Sequence, residues 1–404
     1  MTRLFAIGAL VFALAVPRAA SAADCDTLGL GTLVYAQVGD TQSNLMKRLG
    51  RALRGNTARP LTLVFRTSPS CVNIDQIFLQ TPIPAATVMQ YVPSTTEDAG
   101  WTPASPTLTC TIPAGAGVVP DVANSALFNS ACPNGGTTPA HVKTTNGATQ
   151  AYVFAVPEAS TQTAITFEEA YFVFGFGTAG MVTPWNDEAQ LFIRALTTST
   201  LLAWAANISV PGPKWKGAQQ TGTMGSSLVV SRLASSTSPE KAIGILGAEV
   251  YDNERNRLNV LAYRAKGQYA AYYPDSTATS RDKKNVRDGH YTVWSPTVWM
   301  DRVNGATPLN ADARYIVDLL TSAPTVTPAP NFDMLGIITA GGLVPVCAMR
   351  VQRSFEGGPL SLYTPPAGCT CKYERLVDTT SCATCSPTQA CTTGVCRDGF
   401  CEAP

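Results

Sequence analysis

Leu191-Phe-Ile-Arg194-Ala-Leu-Thr-Thr198-Ser199-Thr200 joins a short apolar run to a hydroxyl-rich turn. Leu201, Leu202, Ala205 and Ile208 then recur at helical spacing. The stretch predicts a buried strand closed by Arg194, a loop, and the start of a helix. Hydroxyls and free backbone N–H groups at a helix N-terminus, with an arginine beside them, suit a small oxyanion. The chemistry expected of such a site is capture rather than turnover.

The same order occurs twice near the start of the chain. Leu33 to Val38 is apolar and ends at Gly39-Asp-Thr41, after which Leu45, Leu49 and Leu53 repeat at helical spacing. Thr41 or Ser43 is the candidate cap. Lys47, Arg48, Arg51 and Arg54 occupy the other sides of this helix and are expected on a solvated surface. Leu61 to Phe65 is the next strand; it opens into Thr67-Ser-Pro-Ser70 and a helix through Ile74 and Ile77. Strands alternating with helices predict an α/β fold with a parallel sheet.

Residues 80–149 are rich in Pro, Thr and Gly and read as an irregular excursion with a few strands. The alternation resumes at Ala151 to Val156. Thr166 and Glu169 form a capping box for a helix running to about Gly175. Further helices are predicted at Ser226 to Leu233 and Ala311 to Leu320, and further strands at Ala242 to Leu246 and Leu258 to Ala262.

Residues 1–22 have the form of a secretory signal: Arg3, an apolar core from Leu4 to Val16, and Ala20-Ser-Ala22 as cleavage site. The core is shorter than the ~20 residues of a membrane span. Asp24 before Cys25 argues against a lipoprotein. The chain is therefore expected to be exported, periplasmic or extracellular. Removing the signal leaves 27 basic and 28 acidic side chains, a balance that excludes nonspecific nucleic-acid binding.

All 12 cysteines lie beyond the signal. An even count in an exported chain predicts disulfides. Cys110 with Cys132 looks like a local pair; Cys25 with Cys71, and Cys347 with a tail cysteine, are plausible, but spacing does not fix connectivity. Cys369, Cys371, Cys382, Cys385, Cys391, Cys396 and Cys401 crowd a tail with almost no apolar periodicity. This tail has no histidine, so disulfides are preferred to zinc.

Gly175-Phe-Gly-Thr-Ala-Gly180 matches GxGxxG, but it follows a capped helix and lacks the later acidic residue that a dinucleotide site needs. His141 and His290 are the two histidines. Neither sits in a nucleophile elbow or zinc motif. No catalytic residue, cofactor or metal is expected.

Thr41, Ser70 and Thr198-Ser199-Thr200 each fall where a strand ends and a helix begins, the place where open parallel sheets bind ligands. With this set in view, the chain resembles the phosphate-type periplasmic binding proteins of ABC transporters. The resemblance rests on Gly39-Asp-Thr41, Phe65-Arg-Thr-Ser-Pro-Ser70, Ile165-Thr-Phe-Glu-Glu169 leading to Pro184-Trp-Asn-Asp187, Arg194 with Thr198-Ser199-Thr200, and Gly222-Thr-Met-Gly225 leading to Ala242-Ile-Gly-Ile245. It implies a two-lobed class II fold and a ligand set of Thr41, Ser43, Ser70, Arg194, Thr198, Ser199 and Thr200. Two departures accompany it. Ala126 stands where the family has an aspartate that accepts a proton from the ligand, with Asp121 as the alternative carboxylate, and Ser199 replaces a glycine. The tail resembles disulfide-rich ends of exported myxobacterial proteins.

The expected architecture is one lobe of residues 30–150 plus 258–346, a second of 151–257, and a small disulfide-rich tail at 366–404. The expected function is that of an exported monomer presenting an inorganic oxyanion to an ABC permease. The alternative is a secreted structural or interaction module whose ligand site has decayed.

Overall fold

The computed structural model describes residues 23–221, 225–323 and 325–403. The proposed signal at 1–22, and Gly222 to Met224 of the quoted motif, lie outside the described residues.

β1 (Leu33–Val38) leads through a turn into α1 (Ser43–Arg54), and β2 (Thr62–Thr67) into α2 (Ser70–Phe78). β3 (Val88–Tyr91), β4 (Leu108–Thr111) and β5 (Val122–Ser125) follow within the Pro-rich excursion. β1 pairs in parallel with both β2 and β5. Val34, Ala36 and Val38 of β1 pack with Leu45, Leu49 and Leu53 of α1. Ile74 and Ile77 of α2 pack with Ala123 of β5 in a separate cluster. The early helices thus bury their apolar stripes against a central sheet, as the spacing predicts.

β6 (Val142–Pro157) is the longest strand of the chain's described part. It is followed by β7 (Ala164–Thr166), α3 (Phe167–Phe176), β8 (Leu191–Arg194), α4 (Ser199–Asn207), β9 (Ala218–Gln220), α5 (Gly225–Ala234), β10 (Ile243–Gly247) and α6 (Ala248–Asn253). β8 is parallel to both β9 and β10. The capping box at Thr166 and Glu169 is formed. Phe154 and Trp204 stack at the centre of this half, with Tyr263 edge-on to both.

β11 (Leu258–Val260), β12 (Ala262–Arg264) and α7 (Lys284–Arg287) precede β13 (Trp294–Asn304), β14 (Thr307–Pro308), α8 (Ala311–Leu320) and α9 (Met334–Ala340). β13 pairs antiparallel with β5 and with β6 from Val142 to Ala151, while the rest of β6 pairs with β10 and β11. The two long strands therefore cross between the halves and make one continuous mixed sheet. The parallel expectation holds for the strands that feed the central helices; the crossovers are antiparallel.

Residues 258–293, expected in the first lobe, pair and pack with the second. β11 continues the β6 ladder, β12 pairs with β7, and Tyr263, Val286 and Tyr291 join the core around Phe154. Pattern alone marks a strand but not its partner, which is why the boundary was misplaced.

β15 (Val351–Gln352), β16 (Ser361–Leu362), α10 (Thr370–Leu376), β17 (Val395–Arg397) and β18 (Phe400–Glu402) complete the chain. The tail is not detached. Cys369 and Tyr373 enter the second half's core, and Glu402 accepts the free N–H groups of Cys371 and Lys372 at the start of α10. Lys372 reaches Asp333 of α9 at 3.3 Å, and Glu374 pairs with Arg287 of α7 at 3.1 Å.

The disulfides are Cys25–Cys110, Cys71–Cys132, Cys347–Cys369, Cys371–Cys382, Cys385–Cys396 and Cys391–Cys401. Cys347 pairs with a tail cysteine as expected. The pairs Cys110 with Cys132 and Cys25 with Cys71 are corrected. β4 lies beside the N-terminal turn, bridged at Asp24 and Thr111, which brings Cys110 to Cys25. Cys71 opens α2, whose packing on β5 brings it to Cys132.

Candidate functional site

The carboxyl ends of six parallel-sheet strands converge where the halves meet. β1 delivers Gly39-Asp-Thr41, β2 delivers Ser70, and β5 delivers Asn124 and Ala126. From the other half come Arg194 after β8, Gln220 and Ser226 around the β9–α5 turn, and Glu249 after β10. Thr41, Ser70, Asn124, Arg194, Thr198, Ser199 and Thr200 are all buried.

Around Gly39 three oxygens face one small space. A methyl group on Gly39 would lie 3.5 Å from Thr41 Oγ1, 3.8 Å from Asn124 Oδ1 and 3.9 Å from Ser70 Oγ. Ser70 Oγ accepts the Ala126 N–H at 3.3 Å, so Ala126 lies beside Ser70 and brings no carboxylate there. Asp121 does not replace it. It sits at the opposite end of β5, accepting the Tyr35 N–H and pairing with Arg302.

Arg194 is only 2% exposed. Its Nη1 donates to the Gln220 carbonyl at 2.8 Å and its Nη2 to Asp40 Oδ2 at 2.6 Å. Ser226 donates to the same Asp40 oxygen at 2.9 Å. Nε is buried with no partner among the described residues. A methyl group on Gly225 would lie 1.3 Å from Nη1, so the close approach of α5 to the guanidinium requires glycine there. Asp40 thus comes from the first half to hold an arginine of the second. The Cys71 N–H makes another crossing bond, to the Thr197 carbonyl at 3.2 Å.

Thr198 donates its hydroxyl to Ala195 O at 2.7 Å and leads into α4, whose first N–H groups lack intrahelical partners. Ser199 hydrogen-bonds Tyr152, whose hydroxyl also donates to Ala126 O. Burial holds the Tyr152 phenol well above its ordinary range, so it stays a neutral donor. Ser43 is not brought to this cluster. It is half-buried in a groove outside it, and neither Ser43 nor Thr41 caps α1 through its side chain.

A polar chain leads away from Thr41. Gln42 Nε2 approaches Thr41 Oγ1 at 3.3 Å and Gln150 Oε1 at 3.1 Å, and Gln150 donates to Glu249. Burial pushes the Glu249 carboxyl up to about 8, so it carries its proton at neutral pH. The unfolded chain releases that proton near pH 4.3. Glu249 therefore contributes stability that is full below about pH 4.3, falls as pH rises, and is gone above about 8. Melting temperatures followed from pH 5 to 9 should fall with pH, and Glu249→Gln should flatten that slope; an unchanged slope in the variant contradicts the assignment.

Of the residues that the sequence singles out, the structure brings Thr41, Ser70, Arg194 and the Thr198 to Thr200 turn together. Asn124, Tyr152, Gln150, Ser226 and Glu249, which the sequence does not single out, lie with them, and Asp40 joins them to Arg194. Glu249 follows β10 by two residues and Ser226 follows β9 by six, so both stand at a strand-to-helix passage, as Thr41, Ser70 and the Thr198 turn do. Asn124 and Tyr152 sit inside strands, where sequence offers no such signal.

No protein-family description matches the chain, and no curated protein resembles it in sequence. Solved structures do resemble it in shape. One from Clostridium perfringens, solved with bound phosphate and assigned as a phosphate ABC transporter substrate-binding protein, superposes with a TM-score of 0.52 at 12% identity, over 78% of this chain and 100% of that one. An ABC-type phosphate transport receptor from Vibrio cholerae gives 0.47 at 12% identity, over 78% and 100%. Among the described residues no helix is long and apolar enough to cross a membrane. The chain accordingly has the two-lobed α/β fold of the phosphate-type periplasmic binding proteins, closed at its end by a disulfide-bonded tail.

Proposed function

We propose that the protein captures a small phosphate-like oxyanion between its lobes, as an exported solute-binding protein serving ABC-type uptake. The observation that carries this reading is the buried Arg194 guanidinium with an unpartnered Nε, set among strand-end hydroxyls and a helix N-terminus. Buried charge without a full partner set is costly and is retained where a ligand completes it. Thr41, Ser70 and Thr200 supply hydroxyls, α4 supplies N–H groups and the positive end of its dipole, and Arg194 supplies charge. The bound anion is expected to meet a permease from a monomeric carrier.

Asp40 sets the selectivity. Its carboxylate lies beside Arg194 and repels a fully ionised anion, whereas a protonated one can donate to it. It thereby takes the part that Ala126 cannot. Calorimetric titration of residues 23–404 at neutral pH should show phosphate binding and sulfate binding more weakly. Asp40→Asn should narrow that preference by about tenfold, or ~1.4 kcal/mol. Absence of binding to either anion at millimolar concentration sinks the proposal.

A second reading draws on the same contact. If Asp40 and Arg194 serve only to lock the lobes of a structural module, Asp40→Asn lowers the melting temperature and no anion restores it.

A further inference from the structure

A groove of about 430 Å³ opens from Asp40 and Thr41 and runs between α1 and α6. Its walls are Asn44, Lys47 and Arg48 on one side and Glu249, Val250 and Asn253 on the other, with Pro103 and Ala104 at the rim. The basic side of α1 is not the free surface that spacing suggested. Arg51 donates to the carbonyls of Pro93 and Asp98, and Arg54 pairs with Glu97, so the 92–106 loop covers that side. Lys47 and Arg48, both half-buried, are left against the groove.

The charge balance of this groove is positive. Asp40 is paired with Arg194 at 2.6 Å. Glu249 holds its proton at neutral pH. Lys47 donates to the carbonyls of Pro103 and Ser105, at 3.2 and 3.3 Å, which orient it without neutralising it. Arg48 uses Nε on Asn44 Oδ1 at 3.2 Å, and its terminal nitrogens have no partner among the described residues. Burial alone shifts both cations, downward, with no carboxylate contributing. Two half-buried cations without a counter-ion, in a groove that starts at the anion site, lack an anionic partner of their own.

We propose that the groove is a second anionic subsite, and that the ligand is a tethered bis-anion: a phosphoryl head at Arg194 and a second anionic group at Lys47 and Arg48. This rests on the oxyanion reading above and narrows it. Lys47 is the fifth residue of α1, about 6 Å along the helix axis from Ser43, and Thr41 lies two residues further back in the preceding turn. A free phosphate ion is too small to span that distance. A short condensed phosphate, or a phosphate ester with a distal acid, spans it.

The test is calorimetric titration of the disulfide-bonded chain, residues 23–404, with phosphate, tripolyphosphate and phosphogluconate. The wild type should bind at least one of the two longer anions about tenfold or more tighter than phosphate. Which of the two gains separates a condensed phosphate from an ester. Arg48→Gln should shrink the margin, and Lys47→Gln with Arg48→Gln should remove it, while phosphate affinity stays within about twofold and the melting temperature is kept. The margin should also shrink with added salt. Phosphate binding with no margin, or a margin that survives the double substitution, overturns this proposal and leaves the simpler site standing. No binding of any of the three overturns both.

Discussion

Arg194→Ala should lower phosphate affinity by roughly a hundredfold or more, about 3 kcal/mol, and should weaken the contact between the lobes as well. The guanidinium is the charge at the site and also a structural tie. It binds the Gln220 carbonyl on one edge and Asp40, from the other lobe, on the second. Truncation leaves the Asp40 carboxylate beside an anion site with no countercharge, so an incoming anion meets repulsion instead of attraction. Arg194→Lys should recover only part of the affinity. A single ammonium keeps the charge but cannot reach Gln220 O and Asp40 together while presenting a third donor to the ligand. Titration calorimetry of the three proteins gives the order wild type, Lys, Ala. Equal affinity in wild type and the alanine variant would mean that the anion binds elsewhere.

Trp204→Ala should cost about 3–5 kcal/mol of unfolding free energy. Trp204 is fully buried, stacked on Phe154 with ring centres 3.6 Å apart and edge-on to Tyr263 at 5.1 Å. It is also a central residue of α4, the helix whose start carries Thr198 to Thr200, so lost packing loosens that turn too. Trp204→Phe is the informative control. It keeps most of the stacking and removes an indole N–H that is buried without a partner, so its cost should stay below about 2 kcal/mol. Denaturant unfolding followed by circular dichroism separates the two. A loss below about 1 kcal/mol for the alanine variant would contradict the packing described.

Much of the architecture was legible because it depends on local rules. Helical spacing of Leu45, Leu49 and Leu53 fixes which side of α1 is buried, and the Thr166–Glu169 capping box fixes where α3 starts. Arg194 was legible for a related reason: a cation that ends an apolar strand must be satisfied where strand and helix meet. Partnership between distant segments was not legible. Nothing in Leu258 to Val260 states that it extends the β6 ladder, and nothing at Cys110 states that Cys25 lies beside it. The role of Asp40 failed for the same reason, since its partners Arg194 and Ser226 lie more than 150 residues away and come from the other lobe. Glu249 looks like an ordinary surface acid until the fold buries it.

The placement of α10 bears on how far the two lobes can move relative to one another. This short helix is fastened through Lys372 to α9, which packs on α1 of the first lobe, and through Glu374 to α7 of the second. The Cys347–Cys369 bond holds its start in place. The tail therefore ties elements of the two lobes to each other. A tie of this kind restrains the motion of one lobe against the other more than it alters the contacts within either. If the chain is the oxyanion carrier proposed above, a tie of this kind lengthens the time its cargo stays bound.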